Sequence, residues 1–450
     1  MSAFTFPIGI HTPPKHTQAL PDKVDVVIIG GGVIGICAAL FLRRHGQSVF
    51  VCEKGRVAGE QSSRNWGWIR QQGRDPDELP IMMEANRLWQ DLNAQLDCDI
   101  GLRQGGIVYF SDSDSELERY ETFTSLAAEH GLQSNLLSRS QVQAMIPDLN
   151  RSYRGALHTP SDMRAEPWVA VPALARLAAA EGVLIRENCA VRRLDTKNGQ
   201  INGVITEHGH VACEQVLLCG GAWSSLFLQG HDVRIPQLSV RATVVKTSEL
   251  PEVFSGGAVD NKLAFRHRAD GGYSLATSST HDLFLGWDGL RHAKSFWPAV
   301  KNDPFNNRIN PFGPPNYPDS WTVKRSWSAD DETPFERTRI LNPAPSRKAM
   351  RIIKKSFDRA FPQFKGWSVS NAWAGLIDTM PDVVPIIDRC SDIPGLTIAT
   401  GMSGHGFGIG PGVGRVVADM MSGKQSNHML HRFRYDRFKN GDPIILGPAL

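Results

Sequence analysis

The chain has 450 residues, 41% of them hydrophobic, which is enough for a large core and for two or more domains. A formal charge of +3 over that length gives no basis for nucleic-acid binding. The seven cysteines show no C-x-x-C spacing and several sit in apolar runs, as expected of reduced core residues in a cytoplasmic protein. No apolar run reaches the roughly 18 residues of a spanning helix. Residues 1 to 22 carry prolines at 7, 13, 14 and 21, lack the pattern of a signal peptide, and read as a surface arm.

Residues 26 to 35, VVIIGGGVIG, join an apolar strand to a glycine turn and a helix that runs past Leu42. Gly30, Gly32 and Gly35 fit G-x-G-x-x-G: one glycine for the turn, one for close approach to a pyrophosphate, one for helix–strand packing. Phosphates at such a helix start meet free N–H groups and a favourable dipole. Gly46 follows as a C-cap, and the next strand ends at Glu53, where a carboxylate either holds ribose hydroxyls or merely marks a solvated strand end.

Further along, helices are expected over 77–96 and 115–130, with a strand over 105–110 between them. Ser138 and Gln141 fit a capping box, and 170–181 reads as a helix with Pro172 near its start. Strands at 183–185 and 189–194 precede the turn signal Asn198-Gly199 and a strand over 201–206. A second strand–glycine–helix unit runs from Val211 through Gly220, Gly221 and Trp223. Residues 237–278 look like sheet, 283–345 are irregular and aromatic, and 346–362 form a basic amphipathic helix. The last unit is the strand 396–401, a glycine loop over 403–412 and a helix to about Met421, with Pro411 at its first position.

Glycine units at the start, middle and end, with β-rich chain between, imply a discontinuous α/β cofactor domain with an inserted substrate domain. We assign 23–100, 151–235 and 370–440 to the first, and 101–150 and 236–369 to the second. The 283–345 insertion fits a subdomain with its own small core, a lid, or a membrane-contact surface.

Four segments together resemble the D-amino acid oxidase-like family of FAD-dependent oxidoreductases: VVIIGGGVIG with Glu53, GEQSSRNWGW at 59–68, LLCGGAWS at 217–224 and GMSGHGFGIGPGVGRVVADMMSG at 401–423. Gly59 to Arg64, Phe265-Arg266, Pro334-Phe335-Glu336 and Trp373-Ala374-Gly375 look closest to bacterial amino-acid deaminases and dehydrogenases. The resemblance implies a Rossmann-type (GR2-like) FAD-binding domain with a β-rich substrate-binding insertion. It implies that Gly30, Gly32, Val33 and Ile34 meet the pyrophosphate, and Glu53 and Lys54 the adenosine end. Gln61, Ser62, Ser63, Arg64, Trp66, Gly67 and Trp68 would follow the cofactor, with Val191 at the adenine and Gly220, Gly221 and Trp223 as the second glycine motif. Gly404, His405, Gly406, Phe407 and Gly408 would pass the flavin ring, His405 in a packing role. Residues 373–382 hold no cysteine, so the FAD is expected to be non-covalent.

The same resemblance makes Arg266 the clamp for a substrate carboxylate, a task suited to the guanidinium fork. Arg241 is a second candidate, with a surface arginine as its alternative, and Trp68 and Arg70 are candidate pocket residues. The implied reaction is oxidation of a small amino acid or amine, by hydride transfer from Cα to flavin, giving an imino acid and then a 2-oxo acid plus ammonia. A D-amino acid is favoured, because the chain lacks the N-terminal membrane helix of some L-deaminases. The alternatives are an L-amino acid deaminase, an oxidase of a cyclic or N-alkyl amino acid, and a non-catalytic FAD-binding subunit. The acceptor is oxygen or a respiratory-chain quinone, which leaves open a peripheral contact with the inner face of the membrane.

Overall fold

The computed structural model describes residues 7–278, 280–302 and 307–447. Its first sheet has six strands, in the order Ile386–Arg389, Leu396–Thr400, Gln215–Leu218, Val26–Ile29, Val49–Cys52, Leu184–Arg186. All neighbours run parallel except the first pair. Strands covered on both faces must be apolar throughout, and Val26, Val27, Ile28 and Val49 to Cys52 are all buried. Helix Val33–Arg44 is buried from Val33 to Leu42, between the sheet and the C-terminal helix Gly406–Met421. Those helices cross closely because glycines face the contact: a Cβ on Gly414 would come within 2.6 Å of Cys37 Cβ.

The second sheet has ten strands. Its centre is Leu238–Thr247, which pairs antiparallel with Tyr273–Ala276 and, over its whole length, with Val369–Thr379. Strand Val369–Thr379 therefore lies in this sheet, and not in the cofactor domain to which residues 370–440 were assigned. Gly155–Thr159 likewise pairs with Ile107–Ser111 in the same sheet, although 151–235 was placed in the cofactor domain. A small antiparallel ribbon, Trp68–Ile69 and Arg103–Gln104 on either side of Met163–Arg164, connects the two parts.

Local signals hold where they are strongest. Both hydrogen bonds of the Ser138–Gln141 capping box form. Asn198 and Gly199 adopt φ of 53° and 78°, the left-handed pair of a tight hairpin turn. Two prolines are displaced from the expected role. Helix Pro167–Ala180 starts at Pro167, with Pro172 inside it. The C-terminal helix starts at Gly406, so Pro411 is interior and offers no N–H to the Phe407 carbonyl. The described part of the N-terminal arm is tied down: Glu187 accepts hydrogen bonds from the Lys15 and His16 N–H groups, and Arg56 Nε donates to Thr12 O. Residues 1–6 of that arm lie outside the described residues.

The insertion divides in two. Tyr317, Trp327 and Phe335 join the core beneath the cofactor sheet. The stretch before them exposes Trp287, Leu290, Trp297 and Phe312, and helix Ala293–Asn302 buries no residue.

Candidate functional site: a nucleotide cleft and a buried arginine

A cleft opens at the C-terminal edge of the parallel sheet, where ligands bind in open α/β folds. Fifteen of the residues expected to meet the cofactor line it: Gly30, Gly32, Val33, Ile34, Glu53, Lys54, Gln61, Ser62, Val191, Gly220, Gly221, Trp223, Gly404, Gly406 and Phe407. The first and second glycine motifs abut. Gly30 has φ +113°, and a Cβ there would sit 2.5 Å from Cys219 O. A Cβ on Gly35 would sit 2.1 Å from Gly30 O, so the turn and helix close only with glycine. Ser62 Oγ accepts from Val33 N at 2.9 Å, which brings the Gln61–Arg64 turn to the helix start.

Glu53 grips the turn as well as facing the cleft. Its two oxygens accept from Gly31 N and Gly55 N, both at 2.7 Å. Burial pushes its carboxyl up to about 7, against the pull of Lys54 and those two N–H groups. Lys54 does not reach out as a free cation. Its Nζ donates to Glu60 at 2.5 Å and to the Thr338 and Arg339 carbonyls, and lies 4.4 Å from the Trp223 ring centroid. Glu60, which sequence reasoning missed, also accepts from Trp223 Nε1 at 2.9 Å and Leu341 N at 3.0 Å. It thus joins the second glycine unit to the segment that returns from the insertion. Asp378 was missed too. Its Oδ2 accepts from Gly401 N at 2.8 Å, and burial pushes its carboxyl up to about 6.

Seven expected cofactor contacts stand behind this lining. Ser63 is fully buried. Arg64 spends its guanidinium on Gly59 O, Ala374 O, Ile8 O and Asn342 Oδ1, so it is an internal fastener and not a ligand to phosphate. Trp66 and Trp68 pack edge-to-face at 5.0 Å against Val244, Ala264 and Trp373 of the second sheet. Gly67, at φ +80°, lets the chain pass Ala165 O and Arg266. Gly408 packs on the Trp68–Arg70 backbone, and His405 Nδ1 lies 3.0 Å from Glu78 Oε2.

The expected carboxylate clamp needs correction. The Arg266 side chain is 0% exposed and is held by Glu166: Nη1 to Oε1 at 2.9 Å, Nη2 to Oε2 at 2.8 Å. Its Nε donates to Trp66 O. A guanidinium filled in this way has no face left for a substrate. The distance in sequence hid the pairing, since Glu166 lies 100 residues away. Arg241 is also committed, donating to Asp282 Oδ2 at 2.7 Å and to Ala344 O. Arg70 differs. Among the described residues it pairs with no carboxylate: Nη1 donates to Gln72 O and the guanidinium stands 5.4 Å from the Tyr109 ring centroid. It follows Trp68 by two residues, just past the end of strand Trp68–Ile69.

A cleft closed by glycine-only contacts, an acid at the end of the second strand and an apolar wall of Trp223, Phe227 and Phe335 define an α/β dinucleotide-binding flavoprotein. Residues 25–420 match the model of the DAO family, FAD dependent oxidoreductase, and the chain belongs to that family. That family is one of FAD-dependent oxidoreductases. Among solved structures the chain is similar to L-amino acid deaminase from Proteus myxofaciens in complex with anthranilate, with TM-score 0.89, 29% identity, and coverage of 94% of this chain and 96% of that one. Sarcosine oxidase subunit beta of Arthrobacter sp is 24% identical, over 96% of each chain. Mitochondrial sarcosine dehydrogenase of Mus musculus is 25% identical over 53% of this chain, and the match spans only 27% of that protein.

The cleft fits FAD. Gly30, Gly32 and the helix start behind them suit the pyrophosphate, Glu53 suits the ribose, and Gly404, Gly406 and Phe407 line the same cleft.

Proposed function

We propose that the protein oxidatively deaminates an L-α-amino acid and that Arg70 anchors the substrate carboxylate. The observation that carries this reading is the state of Arg70. It is buried, beside the cleft-closing helix, and lacks the carboxylate partner that Arg266 and Arg241 each have. An unpaired buried guanidinium costs several kcal/mol, about as much as a bound carboxylate would return. Bound FAD would supply the two-electron oxidising power, the substrate losing its Cα hydrogen with the bonding pair and an N–H proton so that the Cα–N bond becomes an imine. The chain's share is positioning: Arg70 fixes the carboxylate, Tyr109 braces Arg70, and Trp66 and Trp68 wall the space beside the second sheet.

The preference for the L-enantiomer draws on the similarity to the Proteus myxofaciens deaminase over nearly the whole chain. The lean to D-amino acids rested only on a missing membrane helix, and nothing in the site supports it. Oxidation of an N-methyl amino acid is the second reading, favoured by the full-length similarity to a sarcosine oxidase subunit. No helix among the described residues is long and apolar enough to cross a membrane. The exposed Trp287, Leu290, Trp297 and Phe312, with Arg291, Lys294 and Lys301 among them, support a peripheral contact and hence a membrane quinone as acceptor.

The test is anaerobic reduction of the FAD-loaded protein with matched L- and D-amino acids and with N-methylglycine. The reading expects bleaching of the flavin absorbance by L-amino acids. Bleaching by N-methylglycine alone transfers the assignment to the second reading, and bleaching by D-amino acids alone overturns the handedness.

A further inference from the structure

Behind the loop that closes the cleft, three ionisable side chains outside its lining are buried together. Arg74, Glu78 and His405 are 4%, 1% and 4% exposed. Glu78 opens helix Glu78–Asn93 and meets His405 Nδ1 through Oε2 at 3.0 Å. Its carboxylate lies 3.9 Å from Arg74 Nη1. Arg74 Nε in turn donates to the main-chain carbonyl of Arg70 at 2.9 Å. His405 caps the C-terminal helix between Gly404 and Gly406, both of which line the cleft. The group therefore touches the cofactor loop at one end and the backbone of the unpaired arginine at the other.

Such a group is a poor choice for stability alone, because desolvating the charges offsets most of their attraction. Moreover, Arg74 Nη1, Glu78 Oε1, His405 Nε2 and Gln72 Nε2 are all buried without a hydrogen-bond partner. Native folds keep few such atoms, so a cluster of them calls for an ordered water or a role.

We propose that Arg74, Glu78 and His405 are positioning residues: Glu78 orients His405 under the cofactor loop through Nδ1, and Arg74 ties that carboxylate to the main chain of Arg70. The proposal rests on the reading of Arg70 as the substrate anchor. The charged groups facing His405 are Arg70 and Arg74 from the segment after Trp68–Ile69, and Glu78 from its helix; Tyr109 and Asp162 face Arg74. The first two turns of the C-terminal helix carry no titratable side chain. Burial, then Arg74, hold His405 down to about 4 against the pull of Glu78. With Nδ1–H directed at Glu78, Nε2 is left as an unprotonated acceptor.

The test uses the FAD-loaded protein with isotope-labelled histidine rings, the His405 signal being assigned by its loss in His405→Asn. Anthranilate affinity is read from the flavin spectrum. In the parent protein the His405 signal stays fixed between about pH 5.5 and 8.5. In Arg74→Met it titrates within that window, and anthranilate binds roughly tenfold more weakly. Arg74→Lys keeps the charge but loses the Nε bond, so the signal stays fixed while anthranilate still weakens. Either readout remaining at its parent value in Arg74→Met overturns the proposal. If that variant does not take up FAD, unchanged anthranilate affinity in Arg74→Lys overturns it instead. Arg70→Ala separates the two readings: parent-like anthranilate binding there removes the anchor, and the His405 titration alone then decides the triad.

Discussion

Glu166 and Arg266 face each other fork to fork, with two hydrogen bonds of 2.8 and 2.9 Å between side chains that are 5% and 0% exposed. Glu166 also accepts from Ala269 N at 2.8 Å, so the pair ties the start of helix Pro167–Ala180 to the turn after strand Ala264–His267. Removing one partner strands the other charge. Glu166→Ala should therefore cost about 3–5 kcal/mol in chemical denaturation. Affinity of the surviving folded protein for carboxylates should stay within about twofold, since neither group serves the substrate.

The same pair gives a pH dependence. Burial opposes ionisation of Glu166, but Arg266 beside it holds the carboxyl below the usual carboxylate range. A depressed folded pKa means that the stability is fully present above the ordinary glutamate value and is lost as pH falls through the folded one. Acid denaturation of the parent should show this loss. Glu166→Gln should flatten it while starting from lower stability at neutral pH.

Glu53 has the opposite sign. Burial raises its carboxyl to about 7, so the folded protein without cofactor binds a proton that the unfolded chain releases. Its contribution to stability is present at low pH and fades as pH rises from about 4.5 to 7. Ribose hydroxyls prefer the ionised acceptor, so FAD affinity should rise with pH through that window. Glu53→Gln should weaken FAD binding by roughly ten- to a hundredfold and remove the pH dependence, as measured by fluorescence titration of the cofactor-free protein.

Gly35→Ala tests the cofactor turn. The added Cβ would lie 2.1 Å from Gly30 O, within backbone that cannot yield without opening the turn. The variant should purify folded but colourless, as judged by circular dichroism and absorbance, whereas Gly46→Ala, strained by its φ of +87° but meeting nothing within 4 Å, should lose some stability and retain FAD.

The cofactor half of this site was legible because its constraints are local. Gly30, Gly32, Gly35 and Glu53 act within one βαβ unit, where turn geometry fixes residue type at fixed spacing. The substrate half was not legible. Whether Arg266, Arg241 or Arg70 is free depends on Glu166, on Asp282 and, among the described residues, on no carboxylate standing within pairing distance of Arg70, all set by long-range packing that no spacing rule encodes. Strand Val369–Thr379 was misplaced for the same reason, since its partner Leu238–Thr247 lies more than a hundred residues earlier. Pro411 misled through a sound local rule. Proline favours a first position, but the C-terminal helix starts earlier, at Gly406, and holds Pro411 inside.

The measurement that bears most directly on the account is the dissociation constant of an L-amino acid substrate in anaerobic flavin reduction, compared between Arg70→Ala and Arg266→Lys. The account predicts a loss of roughly a hundredfold or more for Arg70→Ala, the cost of a charge-assisted carboxylate contact, and near-parent affinity in whatever Arg266→Lys protein folds. Parent-like affinity in Arg70→Ala together with a collapse in Arg266→Lys would contradict it, and would return the carboxylate clamp to Arg266.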